Sequence, residues 1–367
     1  MSKLDYKSAG VNYDVLDTFK RACQKLAGTT AGQLAQHGVS EPANIRGESC
    51  YLLETPDAYI AHVEEALGTK VLVADAMYKL TGQSYYANVA IDDVSTIVND
   101  LCTAGALPIT VAMYAALGDA EYLADERRAA DLAAGFAEGC RQAGAAWAGG
   151  ETQVLKGMVN PETVILGGSA MGMIAPKSNY IAGDVVDGDA IIFAASSGVQ
   201  TNGLTLCRAL ADRLPKGYLT PLSDGRSYGQ SLLDPSVIYV RLVQACQQAG
   251  VKLHYTSHMT GHGWRKLMRL EAPLVYKIHT ICEPQPVFKT IADASGLDPA
   301  EMYGTFNMGV GFALYVTQND APKALAAAKA AGYNAWQAGS VEFQNGRKAV
   351  EIEPLKITYA AESLQIR

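Results

Sequence analysis

The amino-acid sequence predicts a two-domain α/β protein of α+β layers, and three observations lead there. At 367 residues the chain exceeds the length at which one core usually stops growing. Its composition, 49% hydrophobic and 18% charged, suits packed layers and excludes a disordered chain. In both halves, apolar runs of strand character alternate with stretches of helical period.

From the amino end, Val15, Leu16, Phe19, Cys23 and Leu26 recur at helical spacing, predicting an amphipathic helix over 13–27 that Gly28 stops. Residues 29–47 read as irregular. Strands are expected over 51–53 and 58–63, leading into a glycine turn at Gly68. The helix expected over 92–104 places Val94, Ile97, Val98 and Leu101 on one face and ends at Gly105; a strand over 108–114 follows. Leu132, Phe136 and Cys140 mark a helix over 127–143, and a glycine-rich strand over 164–175 closes the first half. The turn-rich stretch 183–189 marks the boundary region, with domains expected over 1–175 and 176–367. Beyond it, a buried strand over 190–195 runs into the turn Ser196-Ser197-Gly198, and a helix begins near Asn202. Asp234-Pro235 offers an N-cap and a first-turn proline for a helix running to Gly250. A strand over 310–316, an alanine-rich helix over 324–331 and a strand over 350–353 complete the reading.

The net charge of -7 provides no basic field, which excludes nucleic acid and anionic membrane as partners and leaves a small anionic substrate held by local groups. Seven cysteines without a CxxC pair read as reduced thiols. There is no apolar leader and no run of about 18 apolar residues, so a soluble cytoplasmic protein is expected.

Chemistry concentrates at a few places. Seven residues make almost two helical turns, so Asp92 lies over Asn99 and Asp93 over Asp100, opposite the apolar face. With nearby Glu65, that edge reads either as a set of oxygen ligands for Mg²⁺ or as a solvated helix face capped by Asp92. The turn Glu65-Ala66-Leu67-Gly68-Thr69-Lys70 reads either as a phosphate cradle with Lys70 as a point charge or as an ordinary turn. Gly149-Gly150-Glu151-Thr152 is a tight strand end or a carboxylate aimed at a ligand; Ser196 to Gly203 is an amide-rich anion site or a simple N-cap. His254, His258 and His262 share helical spacing, but the glycines around His262 argue against a helix and so against zinc.

These pieces resemble, in order and spacing, the phosphoribosylformylglycinamidine cyclo-ligase (aminoimidazole ribonucleotide synthetase) family. Tyr6-Lys7-Ser8-Ala9-Gly10-Val11 is similar to its opening YKxAGV, Glu65 to Lys70 to its DGVGTK, and Ile91-Asp92 through Asn99-Asp100-Leu101 to its ID...VNDL helix. Ala137-Glu138-Gly139-Cys140, GGET at 149–152, Ser196-Ser197-Gly198 with Asn202-Gly203, His258-Met259-Thr260-Gly261, and Glu301-Met302-Tyr303 through Gly311 continue the likeness, which spans residues 6–341. The resemblance implies an N-terminal sheet that forms a barrel across a homodimer, a C-terminal α/β domain over the cleft, and ATP with Mg²⁺. It also implies the reaction. ATP phosphorylates the formyl amide oxygen of formylglycinamidine ribonucleotide, and the substrate's amidine nitrogen then closes the imidazole ring.

On that resemblance, Glu65, Asp92, Asp100 and Glu151 are assigned to metal, with Asn99 orienting them. Lys70 and Lys7 are assigned to phosphate oxygens, with Gly68, Thr69, Gly149, Gly150 and Thr152 alongside the nucleotide. Ser197, Gln200, Asn202 and Gly203 are assigned to the substrate, and His258 to proton transfer, with Lys7 and Asp100 also catalytic. Four departures stand out: Glu65 for the family's Asp, 43–48 in place of a glycine-rich loop, Gln200 for His, and His262 for Gly. They keep open a paralogue with another substrate, and a non-catalytic nucleotide-binding dimer.

Overall fold

The computed structural model describes Leu4, Gly10 and residues 13–43 and 45–364. Two sheets divide the chain. The first has strands β1 (Tyr51–Glu54), β2 (Tyr59–Ala66), β3 (Leu107–Leu117), β4 (Ala146–Val154) and β5 (Val164–Ile174) in the order β1-β2-β5-β3-β4. Pairing is antiparallel except between β3 and β4. Helices α1 (Tyr13–Gly28), α2 (Lys70–Thr81), α3 (Tyr86–Cys102) and α4 (Glu126–Ala143) belong to this half.

The second sheet runs β12-β11-β8-β10-β6-β9-β7. Its strands are β6 (Ala190–Ala195), β7 (Leu253–His258), β8 (Val275–Ile278), β9 (Val310–Val316), β10 (Ala335–Glu342), β11 (Ala349–Ile352) and β12 (Ile357–Ala360). Helices α5 (Leu204–Ala211), α6 (Tyr228–Leu232), α7 (Val240–Gln248), α8 (Pro286–Ser295), α9 (Pro299–Thr305) and α10 (Ala321–Ala330) accompany it. β6 and β9, both interior strands, are apolar and almost wholly buried, as strands covered on both faces must be.

Helix α3 is the piece that positions the site. Fourteen of its 17 residues are buried, polar ones included, so every face meets protein. Its apolar stripe packs on the first sheet, and α4 lies against another face at unusually short range. A Cβ on Gly135 of α4 would come within 2.1 Å of the Ala87 carbonyl oxygen, so only glycine permits that approach.

Four readings change here. The helix over 92–104 begins earlier, at Tyr86, and the α2 helix directly after the glycine turn was not foreseen, because its weakly amphipathic sequence is buried on several sides. Asp234-Pro235 does not cap a helix. Residues 234–239 have no regular secondary structure and α7 begins only at Val240, since the peptide groups of that segment are taken by partners on α3 and elsewhere. GGET lies within strand β4 rather than at its end, beside a register shift against β3.

Candidate active site

The acidic edge of α3 splits three ways. Asp92 is fully buried and pairs with Lys70, Nζ to Oδ2 at 2.7 Å, while its other oxygen accepts from the backbone N and Oγ of Ser236 at 2.7 and 2.5 Å. Lys70 also donates to the Asp234 carbonyl at 2.7 Å. One helical turn before it, Asn88 Nδ2 donates to the Leu233 carbonyl, and almost two turns after it Asn99 donates to the Val237 carbonyl while accepting from the Tyr239 N–H. Residues 88, 92 and 99 therefore form a polar seam that clamps the irregular 233–239 segment of the C-terminal half onto α3. In the structure Asp92, expected at the metal, Asn99, expected to orient it, and Lys70, expected at a phosphate, all make contacts of this seam. Each of those groups is already bound, and none lines the polar cleft described below.

Asp93 faces the α4 side. Neither of its buried oxygens has a hydrogen-bond partner among the described residues, and burial, with the charge of Asp92, raises its pKa well above the carboxylate range.

Asp100 alone on this edge reaches a polar cleft of about 380 Å³, lined also by Asp17, Lys20 and Gln24 of α1, Gly47 to Ser49, Glu65, and Thr260, Gly261, His262, Lys266 and Arg269. Burial would raise its pKa, but the 2.7 Å bond from His258 Nδ1, with the charges of Lys266 and Arg269, outweighs it and holds Asp100 below its ordinary value. Burial lowers His258 despite Asp100, so the pair is an anionic carboxylate with a neutral imidazole donating from Nδ1. His258 is 3% exposed and stands behind Asp100, not in the cleft lining. The imidazole expected to transfer protons thus meets Asp100 rather than the cleft.

Glu65, near the end of β2, lines the cleft, where desolvation and the nearby Asp100 charge push it up to about 7. Two carboxylates sharing one concave site in this way suit a divalent cation, since Mg²⁺ is commonly held by one or two carboxylates plus phosphate oxygens. Across the cleft, burial lowers Lys266 to about 8 against the pull of Asp100 and Glu65. Arg269 donates to Ser49 Oγ and to the Gly47 carbonyl, both at 2.6 Å. It thus ties down the stretch that replaces a glycine-rich loop. Lys20, Glu48, Lys266 and Arg269 were missed in the sequence. The available signal was basic residues three apart just after Thr260-Gly261-His262-Gly263, and Asp17, Lys20 and Gln24 along one edge of α1.

The turn after β6 is a second cluster, where the two halves also meet. Asn307 secures it, accepting from Ser196 Oγ at 3.1 Å and donating to the Gly198 carbonyl at 2.9 Å. Ser197 Oγ donates to the Pro235 carbonyl, Asn202 Nδ2 to the Thr305 carbonyl, and Gln200 Nε2 to the Tyr239 hydroxyl at 3.2 Å. Gln200 has φ 59° and Gly203 φ 89°; a Cβ at Gly203 would stand 2.1 Å from the Phe306 ring. Thr201 and Thr205 reach Thr96 and Thr69 across the domain boundary at 3.1 and 3.4 Å.

The remaining assignments are scattered. Gly149, Gly150, Glu151 and Thr152 lie on β4, an exposed edge strand, apart from the cleft lining. Gly68 and Thr69 sit at the turn into α2. Lys7 lies outside the described residues. His254 pairs with Asp189 at 2.7 Å, and no group of three metal-binding side chains occurs among the described residues.

A two-sheet α/β chain with a mixed-charge cleft beside a glycine turn defines a class of proteins, and comparison gives the class its name. Residues 47–174 match the family described as AIR synthase related protein, N-terminal domain, and 186–350 match its C-terminal domain. The phosphoribosylformylglycinamidine cyclo-ligase of Carboxydothermus hydrogenoformans is 33% identical over 351 residues, covering 93% of this chain and 97% of that protein. The protein of the same name from Pyrococcus furiosus is 34% identical, covering 88% and 90%. This chain belongs to the phosphoribosylformylglycinamidine cyclo-ligase family. Its fold is also that of the HypE–HypF complex structure, with TM-score 0.61 and 16% identity over 86% of this chain and 92% of that one. AaThiL complexed with AMPPCP and TMP has the same TM-score, 13% identity and 97% coverage of both chains.

Proposed function

We propose that this chain catalyses the ATP-dependent ring closure of formylglycinamidine ribonucleotide to aminoimidazole ribonucleotide, with ADP and phosphate as the other products. The observation that supports it most is the carboxylate pair, Glu65 and Asp100, sharing one cleft with Lys266 in a chain aligned almost end to end with enzymes of that name. The formyl amide oxygen takes the terminal phosphoryl group and ADP leaves. The amidine nitrogen then attacks the activated carbon, phosphate departs, and a proton is lost to restore the ring. Such steps require charge neutralisation and alignment more than a protein nucleophile.

Glu65 and Asp100 would hold Mg²⁺, which when bound neutralises phosphate oxygens. His258 keeps Asp100 anionic and fixed in direction. Gly68 and Thr69 are proposed to meet the nucleotide, and Lys7 a phosphate oxygen. The turn carrying Ser197, Gln200, Asn202 and Gly203 is the proposed seat of the substrate, its stiffness supplied by Asn307. A homodimer built on the outer face of the first sheet is favoured by Ile165, Met171 and Met173, which are exposed together on β5. Glu151, Gly149, Gly150 and Thr152 on β4 would take part at that boundary. The cytoplasm is the expected compartment.

Incubation with MgATP and formylglycinamidine ribonucleotide is expected to yield ADP and aminoimidazole ribonucleotide in equal amounts. ATP hydrolysis without the imidazole product would instead establish a paralogue, a reading favoured by Gln200 being turned onto Tyr239. Absence of any nucleotide-induced thermal shift would leave a non-catalytic dimer.

A further inference from the structure

The cleft contains three cations, and they are not equivalent. Lys20 is exposed on α1. Arg269 spends both terminal nitrogens on Ser49 and Gly47, and its Nε lies 3.7 Å from Glu48. Lys266 differs from both. The 3-10 turn Gly263–Met268 carries it back over the cleft, where its side chain is 7% exposed and its ammonium donates to the Thr260 hydroxyl. Among the described residues no carboxylate lies within 4 Å of it; Asp100 and Glu65 act on it from farther away. An ammonium buried without a counter-ion is costly to the folded chain, and the cost is recovered when an anion fills the site. Here the anion would meet Lys266 on the wall facing the carboxylate pair, which would hold a divalent cation. A phosphoryl group takes a charge-assisted contact of that kind from an ammonium.

We propose that Lys266 contacts the terminal phosphoryl group of the bound nucleotide, the group that passes to the substrate, and so distinguishes a nucleoside triphosphate from a diphosphate. This rests on the ATP-dependent reading above. Lys266 thereby fixes the phosphoryl group for attack, whereas the remainder of the nucleotide is held elsewhere.

The test is calorimetry on the full chain with MgADP and with the non-hydrolysable MgAMPPCP. The wild-type protein is expected to bind AMPPCP about tenfold more tightly than ADP, in keeping with one charged contact. Lys266→Met is expected to equalise the two while leaving ADP affinity within about twofold, and Lys266→Arg to keep part of the preference. With no nucleotide, the thermal midpoint of Lys266→Met should equal or exceed that of the wild type, because an uncompensated buried charge has gone. A Lys266→Met protein that retains the whole preference overturns the proposal while leaving the proposed reaction standing. One whose nucleotide-free midpoint falls along with both affinities, with Lys266→Arg falling likewise, shows a merely structural lysine and also overturns it. Failure of the wild-type protein to bind either nucleotide removes the ATP-dependent reading itself.

Discussion

Replacing Asp92 by alanine separates a domain seam from a metal site. In the structure Asp92 and Lys70 are both fully buried, 2.7 Å apart, with Ser236 bonded twice to the remaining oxygen. Removing one partner strands the other charge away from water, and breaking buried pairs in this way costs about 3–5 kcal/mol. The loss of the two Ser236 bonds acts in the same direction. At ~2–4 °C per kcal/mol, the thermal midpoint of Asp92→Ala should fall by roughly 10 °C, and its urea midpoint should fall with it. Lys70→Met combined with Asp92→Leu should recover most of that loss, since an apolar pair of similar volume replaces an ion pair with little penalty. A metal ligand would behave in the opposite manner, because its removal relieves repulsion and leaves the metal-free fold as stable or more so. A midpoint unchanged within about 1 °C in Asp92→Ala would refute the seam and return Asp92 to the ligand set.

Other outcomes follow from single features. Asp100→Asn should lower ATP turnover by about 100-fold with the fold intact, read by product formation and circular dichroism. His262, pushed down to about 3 by burial and by Arg265 and Lys266, stays neutral in the fold while the unfolded chain protonates near 6.5. Its contribution to stability is therefore whole above that value and is lost as pH falls, about 2 kcal/mol between pH 7 and 5. His262→Asn, which tolerates the left-handed backbone, should flatten that part of the stability profile by the same amount. Asp93 keeps its proton in the fold but loses it in the unfolded chain as pH rises, so Asp93→Ala should stabilise by about 2 kcal/mol at pH 8 and by less at pH 4 in urea titrations. Gly203→Ala should cost more than about 2 kcal/mol in the same assay, since the new methyl group meets both an adverse φ and the Phe306 ring.

The apolar strands β6 and β9 were the easiest elements to read, whereas β7, β8, β10 and β12 carried no expectation. The strand over 190–195 occupies Ala190–Ala195 in the structure, and that over 310–316 occupies Val310–Val316, because central strands are apolar throughout and bounded by turns. Helix α2 escaped because a segment buried on several sides loses the one-sided pattern that reveals a surface helix. The site was legible in part. Helical spacing put Asp92, Asp93, Asn99 and Asp100 on adjacent positions, but it cannot tell which of them faces solvent, a second domain or a neighbouring helix. Only contacts distant in sequence decide that: Asp92 with Ser236, Asn99 with Tyr239, and Asp100 with His258. The basic wall of the cleft was overlooked for the same reason, since nothing local to Lys266 or Arg269 shows that they oppose Glu65.

The division of labour along α3 also bears on how such a protein can change over time. Positions 88, 92 and 99 hold the two halves in register, so substitutions there are paid in folding and selection has little freedom to explore them. The opposite wall, from Thr260 to Arg269, divides its residues: Trp264, Leu267 and Met268 are buried in the core, whereas His262, Lys266 and Arg269 line the cleft, and two of the chain's departures, His262 and the 43–48 stretch that Arg269 holds through Gly47, meet there. New chemistry in this lineage would arise by editing that wall while the axle of the molecule stays untouched.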